Sequence, residues 1–371
     1  MRWHIFCKVI DNYGDIGVCW RLSCELARRG EPVRLWVDDP SALAWMAPAG
    51  CTGVEVMTWS EPLEKSLNFP SIFDCNVIIE SFGCTISPEY IANYLDYSTA
   101  LIGQSFKWVN LEYISSEPYV EKNHGLPSPV LTGPGKGLTK HFFYPGFTAR
   151  TGGLLREPDL LQRQAVFDRV LWFKEHSISC NGERLVSLFC YEPKALGALL
   201  AQLANGPMPV KLLVTHGRAR QAVEAWFAGR TGRACTPTLR GQLSFVYLPA
   251  LTQIQYDELL WACDLNFVRG EDSLVRAIWA GKPFVWNIYP QDDNAHHAKL
   301  EAFLEMLGAN DSLWAFHRVW NALDPQNNLP PLDLPSWHEI ALAARERLLA
   351  QTDLTTQLRQ FVALSPDKNK Q

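Results

Sequence analysis

Short apolar runs alternate with helix-patterned segments through this chain, and the alternation starts twice. In the first half, Trp3–Ile10, Val33–Val37, Val54–Met57, Cys75–Gly83 and Lys107–Tyr113 read as strands, with helices expected over Val18–Ala27 and about Ser87–Leu95. In the second half, Leu185–Tyr191, Pro209–Thr215, Leu243–Leu248, Cys263–Val268 and Pro283–Ile288 read as strands, and Lys194–Ala204 as a helix. Strands separated by helix-forming segments imply parallel sheets with crossover helices, the α/β class. At 371 residues the chain has room for about two such domains, each with its own core. The expected division is a Rossmann-like N-terminal domain over 1–176, a linker over 177–183 and a Rossmann-like C-terminal domain over 184–350. A closing helix at about 353–366 is expected to complete the first domain.

The turn-rich stretch Glu117–Gly153, with Pro127, Pro129 and Pro145, reads as a long insertion, and Asp159–Lys174 has helical spacing. A net charge of -5 argues against a nucleic-acid or anionic-membrane surface. No segment approaches the ~20 consecutive apolar residues of a membrane-spanning helix. The first apolar run is short and carries Lys8, so neither a signal peptide nor a membrane location is expected, and the cytoplasm is. Ten cysteines are scattered without a Cys-x-x-Cys pair, which fits buried reduced thiols better than zinc or disulfides.

Two constellations carry chemistry. The stretch Asp11–Gly17 joins a strand to a helix, where α/β folds hold phosphorylated ligands. Tyr13, Gly14 and Gly17 would shape such a turn beside a nucleotide-linked donor, but Asp11 and Asp15 would repel a phosphate lodged inside it. That contradiction points to acid/base chemistry next to an anionic donor. The second constellation, Arg269–Ala277, follows a buried strand, with its helix expected to start at Asp272 or Ser273. Arg269, Ser273 and the helix N–H groups would suit a diphosphate, so Glu271 is electrostatically out of place and marks a chemical task. Phe189, Tyr191, Gln253 and Tyr256 offer aromatic faces and an amide fit for a pyrimidine base, and Tyr289 ends a strand where ligand contacts occur. His296 and His297 open a helix with no metal-ligand spacing, and no metal site is expected. Taken singly, each feature has a plainer reading: turn chemistry for the aspartates, a capped helix, core aromatics. Two sheets whose carboxyl ends face a cleft make the GT-B architecture of nucleotide-sugar transferases.

Six segments together resemble the EarP family of protein-arginine rhamnosyltransferases. They are Val9–Gly17, Val109–Tyr113, His124–Pro129, Phe143–Phe147, Gly152–Glu157 and Val268–Ser273, which span the chain nearly end to end. The resemblance implies an inverting, metal-independent GT-B enzyme with no cofactor, moving L-rhamnose from dTDP-β-L-rhamnose to an arginine of elongation factor P. It implies catalytic roles for Asp11, Asp15 and Glu271, a base pocket at Phe189, Gln253 and Tyr256, and diphosphate or sugar contacts at Arg269, Asp272 and Ser273. Where relatives carry phenylalanine, Tyr256 departs from the pattern while keeping the stacking face. Two rivals remain at this level. A nicotinamide-dependent oxidoreductase lacks Gly-x-Gly-x-x-Gly after the first strand, and a non-enzymatic nucleotide-sugar sensor leaves three acidic residues unexplained.

Overall fold

The computed structural model of the chain describes residues 1–10, 13–59, 74–100, 106–231 and 239–364. Two compact units emerge, one of Met1–Glu157 with the segment from Gln351, the other of Pro158–Ala350. The division therefore falls ahead of the expected 177–183 linker, for a reason that lies in packing. Trp172 and Ile178 are buried in one cluster with Leu185, Leu213 and Leu259, and Cys180 packs against it. Each of the two large side chains gains about 2 kcal/mol from leaving water, enough to bind this segment to the second unit.

The first unit contains β1 (Trp3–Cys7), α1 (Gly14–Arg28), β2 (Val33–Val37), α2 (Leu43–Met46), β3 (Val54–Thr58), β4 (Val77–Ser81), α3 (Pro88–Ala100), β5 (Lys107–Leu111), α4 (Pro118–Asn123), β6 (Pro127–Pro129) and β7 (Thr139–Phe143). Its sheet runs β3-β2-β1-β4-β5-β7-β6, parallel except where β6 opposes β7. Strands β1 and β4 are buried along their whole length, which is why they read as apolar runs rather than alternating ones. Alternate residues nonetheless serve different cores. Ile5 and Cys7 pack with Ile16 and Leu22, while Phe6 packs with Trp36, Tyr90 and Trp108 on the other face. The expected insertion over Glu117–Gly153 is not structureless, since it supplies α4, β6 and β7. Pro127 and Pro129 sit on the edge strand, where a missing N–H is tolerated.

The second unit contains α5 (Leu160–Ala165), α6 (Arg169–Glu175), β8 (Arg184–Leu188), α7 (Leu196–Ala204), β9 (Val210–Val214), α8 (Arg218–Thr231), β10 (Leu239–Arg240), β11 (Leu243–Tyr247), α9 (Gln253–Ala262), β12 (Leu265–Arg269), α10 (Gly270–Ala280), β13 (Phe284–Asn287), α11 (Ala295–Leu307), α12 (Asp311–Trp320) and α13 (Leu334–Leu349). Its sheet runs β10-β11-β9-β8-β12-β13, parallel apart from the β10–β11 pair. The chain then returns to the first unit as α14 (Leu354–Leu364), whose Leu354, Leu358 and Val362 enter the core beside Ile5. Gly153 makes that return possible. At φ +70° it tolerates a backbone in which an added Cβ would lie 2.5 Å from the Thr352 carbonyl oxygen.

Both sheets share one topological device. Strand order grows outward from β1 on one side and resumes with β4 on the other, and β8 and β12 repeat the arrangement. Ligands of such sheets bind outside the carboxyl ends of the strands at that reversal. Among the described residues no helix is long and apolar enough to cross a membrane.

Candidate active site

At the carboxyl end of β1 the structure changes the meaning of the Asp11–Gly17 stretch. Asp11 and Asn12 lie outside the described residues. From there on the segment is helix rather than turn. Tyr13 is the N-cap of α1, and Gly14, Asp15, Ile16 and Gly17 make its first turn, four residues earlier than the expected start at Val18. The Gly17 N–H donates to the Tyr13 carbonyl at 3.0 Å. Gly14 and Gly17 thus build helix and not a phosphate-cradling loop, and the Tyr13 ring packs edge-on against Trp45 with centroids 4.9 Å apart. Asp15 is 3% exposed, and its Oδ2 accepts the Ile10 N–H at 2.9 Å, pinning the loop after β1 to the helix. The amide and the positive end of α1 both stabilise negative charge there. Asp38, at the end of β2, accepts the Val9 N–H at 2.9 Å and fixes the same loop from the other side, a contact the sequence did not reveal.

The β8/β12 reversal of the second unit gathers most of the residues expected from the sequence to bind the donor. Phe189 and Tyr191 follow β8, and the Phe189 N–H donates to the Phe267 carbonyl of β12 at 2.9 Å. Arg269, last residue of β12, lies with its guanidinium 4.5 Å from the Phe189 ring centroid and 4.8 Å from that of Tyr191. Its Nη1 donates to the Cys190 carbonyl at 3.3 Å. The aromatic set continues outward, with Tyr256 edge-on to Phe189 at 5.5 Å and Tyr289 edge-on to Tyr191 at 5.5 Å. Arg218 also lies over the Tyr191 ring, 5.0 Å from its centroid, and pairs with Glu192. Burial pushes the Tyr256 phenol pKa well up. Gln253 and Tyr256 occupy the first turn of α9, which Thr252 and Gln255 close with reciprocal hydrogen bonds of 3.2 and 3.0 Å.

Helix α10 begins at Gly270, not at Asp272 or Ser273. Gly270 takes φ +65°, which lets the chain turn sharply from strand into helix, and Arg269 is the N-cap, its side chain bonding the Cys190 carbonyl rather than the helix. The Ser273 hydroxyl accordingly does not cap the helix but donates back to the Arg269 carbonyl. Glu271 and Asp272 occupy the first turn, and Glu271 forms an ion pair with Lys299 of α11. Lys299 neutralises that carboxylate, and sequence spacing gave no signal of it.

Two buried networks hold these residues in register. Arg276 of α10 makes a bidentate pair with Asp257 of α9, at 2.8 and 2.7 Å, with both side chains 1% exposed. The turn carrying Tyr256 is thereby locked to the helix carrying Glu271. At the end of β13, the Asn287 Oδ1 accepts the Tyr191 N–H at 2.9 Å, while Asn321 Oδ1 accepts the Ile288 N–H at 2.9 Å. His317 Nε2 accepts the Trp286 N–H at 3.0 Å and Nδ1 faces the Leu313 carbonyl at 2.9 Å, so Nδ1 carries the proton of a neutral ring. Burial holds its pKa down to about 4. His296 and His297 open α11 as expected, and the Gln291 N–H donates to His296 Nδ1 at 3.1 Å.

Comparison with known proteins adds four findings. The family model described as "Elongation-Factor P (EF-P) rhamnosyltransferase EarP" matches residues 3–363. A protein-arginine rhamnosyltransferase of Pseudomonas aeruginosa is 39% identical, over 97% of this chain and 98% of its own length. A solved structure described as the structural basis for EarP-mediated arginine glycosylation of translation elongation factor EF-P superposes with TM-score 0.63 at 30% identity, covering 98% of this chain and 99% of that one. A Streptomyces glycosyltransferase complexed with thymidine diphosphate, 11% identical over 97% of this chain and 99% of its own, matches with TM-score 0.54 and speaks for the fold alone. The two Rossmann-like units are those of the GT-B class.

Proposed function

This chain belongs to the EarP family of elongation-factor P rhamnosyltransferases, and on that premise we propose that it moves L-rhamnose from dTDP-β-L-rhamnose, with inversion, to an arginine side chain of that factor. The observation that carries the donor half is the Arg269 guanidinium held against Phe189 and Tyr191 at the β8/β12 reversal. A thymine ring finds stacking faces at Phe189 and Tyr256 and an edge partner in the Gln253 amide. The diphosphate meets Arg269 and the first N–H groups of α10, with Asp272 and Ser273 beside it and Tyr191 and Tyr289 closing the aromatic side. As the C1–oxygen bond of the sugar breaks, these fixed positive groups take up the charge developing on the leaving diphosphate.

The acceptor half follows from the chemistry of arginine. A guanidinium is a poor nucleophile because its charge is delocalised and its pKa exceeds ~12. Forming the N–C1 bond therefore requires a carboxylate that orients the group and takes the departing N–H proton. Asp15 is assigned that proton, and Asp11 the task of steadying the cation. Glu271, held by Lys299, stabilises the positive charge that the sugar ring gains as the leaving group departs. Inversion follows from a single displacement, with the nitrogen attacking opposite the departing oxygen.

Calorimetric titration and product analysis test this together. The chain should bind dTDP-β-L-rhamnose and dTDP but not NAD, and NMR of the modified factor should show the α-anomer. Binding of NAD in preference to dTDP, or a β-linked product, would overturn the reading.

A further inference from the structure

The turn from β13 into α11 carries Gln291, His296 and His297, none of which has a task in the mechanism above. It is nevertheless fixed at several points. The Asn294 N–H donates to the Gln291 carbonyl at 3.1 Å, and Asn294 takes φ +60°. Asp293 Oδ1 accepts the Ala295 N–H at 3.0 Å, and His296 Nδ1 accepts the Gln291 N–H at 3.1 Å. His296 is buried, and burial lowers its pKa, which favours the neutral ring that this bond requires. Lys299 stands three residues on, a spacing that puts it on the His296 side of the helix, and it forms an ion pair with Glu271. The adjoining Leu300, Phe303 and Leu304 are buried and anchor α11 in the core.

Glu271 is thereby held from two sides. Trp286 Nε1 donates to the Gly270 carbonyl at 2.8 Å, which fixes the backbone immediately before Glu271. The Trp286 ring lies edge-on to Phe303 of α11, with centroids 5.0 Å apart. One helix therefore braces both the backbone and the side chain of the same residue. The Lys299 and Glu271 side chains are each 19% exposed, so theirs is not the freely solvated surface pair that contributes almost nothing. Position matters here because Glu271 lies in the first turn of α10, where the diphosphate is proposed to bind. Like charges repel, and a glutamate has enough rotatable bonds to swing away from the donor unless it is tied.

We propose that Lys299 is the positioning residue of Glu271: it aims the carboxylate at the sugar ring and holds it there against repulsion by the diphosphate. Resting on the proposed function, this inference adds a residue that acts through Glu271 rather than by touching donor or acceptor. The bond at His296 and the Trp286–Phe303 contact serve the same end, since they keep α11 where its cation reaches Glu271.

Steady-state kinetics of the full-length chain with dTDP-β-L-rhamnose and intact elongation factor P test it. Lys299→Met keeps a long side chain with good helix preference and removes the charge. It should lower kcat by about 10- to 100-fold, the cost of a misplaced catalytic group, while donor KM and dTDP affinity move less than about threefold. Lys299→Arg keeps the cation and should return kcat to within about fivefold of the parent. In a Glu271→Gln chain, where no carboxylate is left to aim, Lys299→Met should change kcat less than about twofold. Parent-like kcat in Lys299→Met, or the same loss in both backgrounds, would overturn the assignment. A loss of dTDP affinity as large as the loss of kcat would also overturn it, by making Lys299 a donor contact. A parent chain that transfers no rhamnose would instead sink the proposed function itself.

Discussion

Asp15 shows how much a single side chain is asked to do. It ties the β1 loop to α1 through the Ile10 amide, and it is assigned the proton of the attacking guanidinium. Asparagine keeps an oxygen for that amide but cannot accept the proton. Asp15→Asn should therefore fold and bind dTDP-rhamnose like the parent while kcat falls by about 100- to 10,000-fold, the usual worth of a general base. Near-parent turnover would remove Asp15 from that role. Residues of this kind were legible because they break a local rule, as acids where an anion is expected. Lys299, Asp257 and Asn321 were not legible, because their meaning comes from partners far away in sequence. Ser273 misled for the opposite reason, since it is a good helix cap by type while its hydroxyl turns back to the Arg269 carbonyl.

Elements position these residues through their first turns. Helices α1 and α10 both begin on a glycine immediately behind a strand or its loop, and in sequence a glycine there reads as a turn. Strands such as β1 and β4 were legible from their apolar character, because they are buried along their whole length. One element exposed to pH is the end of β13, which depends on neutral His317. Its folded pKa of about 4 lies below the ordinary 6.5, so between those values the unfolded chain holds a proton that the folded chain does not. The full contribution is present above pH 6.5 and is lost as pH falls toward 4, by at most about 3 kcal/mol. Buried His4, with a pKa lowered to about 3, adds a loss of the same sign in the first unit. Urea unfolding at pH 7 and pH 5 should show the parent losing stability over this interval, and His317→Gln should lose less. A slope unchanged by the substitution would place the titration elsewhere.

The whole molecule divides where packing, rather than composition, dictates. The segment over 177–183 looks like a linker because it is rich in polar residues and glycine, yet Ile178 and Trp172 anchor it in the second unit's core. Such a boundary depends on which core a few large side chains enter, and local patterning carries no trace of that. The return of α14 matches the closing helix expected at about 353–366, and its Leu354, Leu358 and Val362 enter the first unit's core. In the proposed reaction the first unit supplies a carboxylate-bearing strand reversal and the second an arginine framed by aromatic rings. The most direct measurement is intact-protein mass spectrometry of elongation factor P incubated with the purified chain and dTDP-β-L-rhamnose, followed by fragmentation to place the modification. The expected result is a gain of one deoxyhexose on a single arginine, dependent on both the chain and the donor. An unmodified factor, or a sugar attached to any other kind of residue, would contradict it.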